Sequence, residues 1–326
     1  MRRKVIGTIV GVLAGALFLT AAVHAGSTGG AASPRTKVTL VAPAAPGGGW
    51  DAFAREAQQV MRAENIAQGV QVVNVPGASG TIGLAQVAEM GDRHDLMMVT
   101  GGVMVGGIVI NDSQVTLDDV VPIARLADDF NVLVVPADSP YETLADFAEA
   151  LAADPGGTAI AGGSLGGIDH ILAGLLAREV GADPAAVNYL AYPGGGEVVT
   201  SILSHTAEAG LSGYNEFRDQ IASGNLRALA VSAGEPVPGI DVPTFREAGV
   251  DVAMSNWRGY VAPPGIDDDV RDELVAMVTE LRETPAWDEV LARNGWVDSF
   301  MTGDEFADFI AEETRLTTAV IEELGL

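Results

Sequence analysis

The chain has 326 residues, enough for two domains with separate cores, and its 48% hydrophobic content argues for a folded protein. With 44 acidic against 18 basic residues the net charge is -26, and no basic face suited to a phosphate backbone is visible, so nucleic acid is not an expected partner. Cysteine is absent, which excludes disulfides, thiol nucleophiles, Cys-ligated zinc, iron–sulfur clusters and a lipid-modified N-terminal cysteine.

Residues 1–25 read as an export signal: Arg2, Arg3 and Lys4 precede an apolar run over 5–23, and Val23-His24-Ala25 offers small residues for a signal peptidase. The run is long enough that an uncleaved membrane anchor is the alternative. Either form puts the rest of the chain outside the cytoplasm. Residues 26–36, rich in Gly, Ser and Ala, read as a flexible leader.

A strand over 37–42 then breaks into Ala45-Pro46-Gly47-Gly48-Gly49-Trp50-Asp51, and a second over 70–75 breaks into Pro76-Gly77-Ala78-Ser79-Gly80. Each break feeds a helix. Phe53, Ala57, Val60 and Met61 share one face of the first; Leu84, Val87 and Ala88 continue the second. Glycine lets backbone approach a ligand closely, and the first helical turn carries N–H groups without internal partners, which favour an anion. Two such loops from neighbouring parallel strands would place both anion sites at one sheet edge. Asp51 stands where an acid caps the helix or holds the loop, with an acid–base role as the alternative. A strand over 96–100 ends in a third small-residue loop, Thr100-Gly101-Gly102, and further strands are expected over 120–126 and 131–135.

At Ser139-Pro140-Tyr141-Glu142 a capping box coincides with proline at a first helical position, and Leu144, Phe147, Ala148 and Leu151 supply the buried face. A second lobe begins here. A strand over 158–161 leads into Gly162-Gly163-Ser164-Leu165-Gly166-Gly167 and a helix with Ile168, Ile171, Leu172, Leu175 and Leu176 inward. A strand over 187–191 leads into Tyr192-Pro193-Gly194-Gly195-Gly196 and a helix with Val198, Val199, Ile202 and Leu203, so the strand, glycine loop, helix pattern recurs. Strands over 207–211, 226–232 and 257–262 follow. The remainder reads as helical, with Val270, Leu274, Val278 and Leu281 on one face and a final helix capped by Thr302 and Glu305. The chain is expected to leave lobe one near Val132 and return near Trp257, giving lobe one as 37–131 plus 258–326 and lobe two as 132–257.

In these residues the sequence resembles the extracytoplasmic solute receptors of tripartite tricarboxylate transporters, the Bug receptor family. The resemblance runs in order through Ala45 to Asp51 with Arg55, Asn74 to Gly83, the Gly-Ser-x-Gly-x-x-x-His run ending at His170, the Tyr-x-Gly-Gly-Gly run from Tyr192, Arg227-Ala228-Leu229-Ala230-Val231, Asp241 to Phe245, Glu247 to Gly249 and Trp257 to Pro264. It implies an α/β, two-lobed periplasmic-binding-protein (Venus flytrap) fold, each lobe a mostly parallel sheet flanked by helices. It also implies a monomer that closes on a small carboxylate and delivers it to two integral membrane subunits. Carried over position by position, it points to Pro46, Gly47, Gly48 and Gly49 beside Trp50 and Asp51, to Gly77, Ala78, Ser79 and Gly80, to Thr100, and in the far lobe to Ser164, Gly167, His170 and Gly195. Trp50 departs from the small hydroxyl residue common there, and Ser79 from glycine. The indole narrows the cleft, stacks on a flat ligand, or packs on the helix; Tyr192 and Tyr214 carry the same alternatives.

His170 either faces the cleft or bonds the loop backbone. Histidines 94, 170 and 205 form no pair at ligand spacing, and neither metal nor cofactor is expected. One rival is an exported enzyme or nucleotide binder, but the fingerprint-like run over 77–83 lacks the acid that should end the next strand, and no P-loop lysine or nucleophile elbow is present. The other is a sensor that presents its ligand to a signalling protein.

Overall fold

The structure is a computed structural model that describes residues 33–91 and 93–325; the segment read as an export signal and most of that read as a leader lie outside the described residues. Arg35 sits in a turn and donates to Glu273 (2.8 Å) and Glu280 (2.6 Å).

Four strands open the fold: β1 (Lys37–Ala42), β2 (Gly69–Asn74), β3 (Leu96–Gly101) and β4 (Val121–Asp129). The chain then builds a second sheet from β5 (Asn131–Pro136), β6 (Ile160–Gly162), β7 (Tyr189–Ala191), β8 (Ala209–Gly213) and β9 (Leu226–Val231). It returns to the first sheet with β10 (Asn256–Ala262) and β11 (Val297–Thr302). The orders are β11-β4-β10-β3-β1-β2 and β7-β6-β8-β5-β9. Both sheets are mixed. Four strands of each run one way, and the strands that carry or follow a lobe crossing, β5 in one sheet and β10 and β11 in the other, run against them. Only Phe130 separates β4 from β5, so the chain passes between lobes almost without a loop.

Helix α1 (Gly49–Ala63) buries Phe53, Ala57, Val60 and Met61, the face expected from their spacing. Phe53 meets Tyr260, Trp287 and Trp296 at centroid distances of 5.5–5.8 Å, an aromatic centre for the lobe-one core. Two more lobe-one helices follow, α2 (Thr81–Ala88) and α3 (Gly102–Ile110). Lobe two carries α4 (Leu144–Ala153), α5 (Ile168–Glu179), α6 (Gly195–Leu203) and α7 (Tyr214–Ala222). The α4 capping box is not at Ser139. Thr143 is the N-cap, its hydroxyl accepting from Asp146 N–H (3.2 Å) while Asp146 accepts from Thr143 N–H (2.8 Å). The residues around Pro140 form a turn and bend outside the helix, where Arg227 donates to the carbonyls of Ala137 and Tyr141 (both 2.9 Å).

The C-terminal part holds α8 (Asp268–Arg282), α9 (Pro285–Asn294) and α10 (Gly303–Leu324). Thr302 precedes α10 without a side-chain cap hydrogen bond, contrary to expectation. Helix α10 joins both cores: Phe306 and Ile310 lie in that of lobe one, Ile321 and Leu324 in that of lobe two. Lobe two also approaches α3 closely. A Cβ at Gly106 would overlap the Gly166 carbonyl, and one at Gly102 would stand 2.9 Å from Ile168 Cδ1.

Candidate ligand-binding cleft

Parallel pairing of β1 with β2, in a register that sets Ala42 beside Asn74, releases both lobe-one glycine loops at the same sheet edge. The loops after β6, β7 and β8 leave their sheet in the same manner. The two edges face each other across a cleft of about 790 Å³. Residues 43–50, 76–80, Asn256 and Arg258 line one wall; 163–164, 167–169, 193–197, 212–213 and Glu216 line the other. Of the residues singled out from the sequence, this brings together Pro46, Gly47, Gly48, Gly49, Trp50, Gly77, Ala78, Ser79, Gly80, Ser164, Gly167 and Gly195.

Helix α1 starts at the N-cap Gly48, which has no side chain to bond the free N–H groups of the first turn. Gly80 caps α2 in the same uncapped way. Loop two holds four successive residues at positive φ: Gly77 (132°), Ala78 (47°), Ser79 (53°) and Gly80 (91°). For Ala78 and Ser79 this is a strained conformation, of the kind that concentrates at ligand sites.

Asp51, Thr100 and His170 do not line the cleft. Asp51 turns back under loop one, where it accepts from Gly47 N–H (2.8 Å), Arg55 Nε (2.9 Å) and Asn74 Nδ2 (2.8 Å). Burial opposes its ionisation, but these donors outweigh that and hold the carboxyl below the usual range. Asp51 is therefore the fastening of loop one to β2. Thr100 is fully buried beneath the floor, its hydroxyl 3.5 Å from Met104 Sδ. His170 accepts from Gly166 N–H at Nδ1 (3.1 Å) and packs on Tyr189 (4.4 Å between centroids); burial depresses its pKa and keeps it neutral. It braces the loop backbone.

Trp50 is only 7% exposed, with its indole beside Gly80 and Gly101, and it still contributes to the cleft lining. Tyr192 and Tyr214 pack in lobe two and are not part of the lining.

The charged residues of the cleft were not anticipated. Arg258, from β10, donates to Asp129 at the end of β4 and to the Gly49 carbonyl, and lies 5.2 Å from the Trp296 ring. Burial pushes the Asp129 carboxyl above its ordinary range even with Arg258 alongside. Opposite stand Asp169, Glu197 and Glu216. Asp169 accepts from Gly163 N–H (2.7 Å) and from Asn131 Nδ2. Burial, with Glu216 and Asp129 nearby, pushes its pKa up to about 7 despite these donors. Glu216 accepts from Ser212 Oγ (2.6 Å), and its carboxyl is raised by the surrounding walls although it is open to cleft water. A Cβ at Gly195 would overlap Glu216 Oε2, so glycine there leaves room for that side chain. The one legible signal was positional, since each of these three acids sits in the first turn of a helix whose N-cap is a glycine.

Between about pH 4 and 7 folded Asp169 keeps a proton that the unfolded chain has lost, so this group stabilises the fold most at low pH and that contribution is lost as pH rises through 7. Asp169→Asn is thus expected to raise Tm relative to the parent more at pH 8 than at pH 5. Thermal unfolding at both values checks this; a difference independent of pH would mean that Asp169 ionises like an ordinary carboxylate.

Two α/β lobes joined by crossing strands, with glycine loops facing across a ligand-sized cleft, define a two-lobed periplasmic solute-binding protein. The family model described as tripartite tricarboxylate transporter family receptor matches residues 53–326, and the chain belongs to that family. It is 29% identical over 298 residues to Protein BugT of Bordetella pertussis, covering 90% of both chains. Among solved structures, that of a periplasmic transporter superposes with TM-score 0.80 at 26% identity, covering 89% of this chain and 98% of that one. MatC from Rhodopseudomonas palustris with bound malate gives TM-score 0.77 at 22% identity, with coverage of 88% and 99%, a likeness of fold.

Proposed function

We propose that this receptor captures a small carboxylate in the interlobe cleft and hands it to the membrane subunits of a tripartite transporter. The observation that carries this reading is the pair of uncapped helix starts, at Gly48 and Gly80, released side by side at one wall of the cleft. Their N–H groups present donors that need no reorganisation, and walls that restrict water strengthen their attraction for a carboxylate. Lobe two then closes over the other end of the ligand. Micromolar affinity, about -8 kcal/mol, is within reach of a few charge-assisted hydrogen bonds and modest apolar contact. Trp50 supplies apolar surface at the floor. No covalent step is required; the receptor itself acts outside the cytoplasm, and its proposed partners are two integral membrane subunits.

The test is a thermal-shift screen against small carboxylates, with NAD and ATP included, because a ligand of the folded state raises Tm. A rise confined to a carboxylate class is the expected result. A response to NAD or ATP alone would replace this reading with a nucleotide site.

A further inference from the structure

The two walls of the cleft are chemically opposite. On the lobe-one wall, α1 has its acid, Asp51, turned away, and α2 has no acid in its first turn. On the lobe-two wall, α5, α6 and α7 carry Asp169, Glu197 and Glu216 in theirs. The positive ends of those helices already face carboxylates of their own, and Asp169 occupies the Gly163 N–H that an incoming anion would use. Among the described lining residues the single cation is Arg258, which is engaged with Asp129. A second carboxylate on the ligand would therefore meet like charge with no cation free to offset it.

The unpartnered atoms differ between the walls. Arg258 is 5% exposed and lines the cleft near loop one, but its Nε is enclosed by protein without a partner and is not open to a ligand. Across the cleft, exposed Glu216 has an Oε1 that accepts from no protein group among the described residues, an acceptor left for a cationic group of the ligand. No group of three or more His, Cys, Asp or Glu among the described residues is placed to hold a metal ion, so the acceptors suit an organic cation.

We propose that the ligand is a zwitterion, its carboxylate held at the lobe-one loops and its ammonium, or a comparable organic cation, held by Asp169 and Glu216. This rests on the carboxylate reading above and narrows it. Asp169 faces Glu216, Asp129, Tyr189 and Asn131; an arriving cation favours its ionised form, so binding releases a proton near pH 7 and weakens as pH falls.

Titration calorimetry with ω-amino carboxylates from glycine to 6-aminohexanoate, beside dicarboxylates of matched length from malonate to pimelate, tests the idea. An amino carboxylate should bind at least about tenfold tighter than its dicarboxylate match, since one end exchanges repulsion for a charge-assisted hydrogen bond. Asp169→Asn and Glu216→Gln should each cost it about tenfold or more and improve the dicarboxylate. Its affinity should also fall from pH 8 to pH 6. A dicarboxylate that binds more tightly than its match overturns the zwitterion and leaves the carboxylate reading standing. Binding by neither series overturns both. Amino carboxylate affinity untouched in both variants, each verified as folded by circular dichroism, removes Asp169 and Glu216 from recognition.

Discussion

Replacing Arg258 by methionine is expected to destabilise the protein by about 3–5 kcal/mol, because it strands the buried Asp129 carboxylate. Arg258 and Asp129 are 5% and 3% exposed and join β10 to β4 where both strands cross between lobes. At roughly 2–4 °C of Tm per kcal/mol, the loss is on the order of 10 °C. It should be larger at pH 8 than at pH 5, since burial already raises the Asp129 carboxyl and protonation relieves the stranded charge at low pH. Adding Asp129→Asn should restore most of the stability, as paired removal of a buried ion pair commonly does. Thermal unfolding of the single and double variants decides it. A double variant no more stable than Arg258→Met would show that the arginine acts through its contact with Gly49 O or Trp296.

The second large effect is expected at Gly80. An alanine Cβ there would stand 2.7 Å and 2.9 Å from the Trp50 ring and 2.9 Å from Met104 Cε, at a φ of 91° that disfavours any side chain. Trp50 has little room to yield because its indole also faces Gly101. Gly80→Ala should therefore displace loop two and the floor together and weaken carboxylate binding by about a hundredfold, the loss of roughly two charge-assisted hydrogen bonds. Gly181→Ala separates strain from obstruction. Its φ is 81°, but nothing lies within 4 Å of the added Cβ and the site is on the surface. It should lose stability alone, by about 1 kcal/mol, and keep full affinity. Equal affinity losses in the two variants would place the effect in global stability and not in the cleft.

Much of the lobe-one wall is legible in the residue order. Glycine at 47, 77 and 80 marks loop positions whose positive φ suits a residue without a side chain, and the face Phe53, Ala57, Val60, Met61 announces the helix that follows the first loop. The strand β11 escapes such reading. Its residues over 297–302 lie at the sheet edge without a fully buried position, so no apolar alternation marks them. The start of α4 escapes too, because Ser139 and Thr143 both head capping-box patterns, and contacts from distant Arg227 decide between them.

By itself the sequence determined the two-lobed α/β architecture, the recurring glycine loops and their place before helices, since periodicity and backbone freedom are properties of neighbouring residues. Only the tertiary structure decided that Asp51 fastens a loop, that His170 braces one, and that Asp129, Arg258, Asp169 and Glu216 meet at the cleft. The physical reason is that the charge of a wall depends on which distant side chains are brought within a few ångströms. Residues 129, 169, 216 and 258 converge only once two sheets have paired and the chain has crossed between them twice.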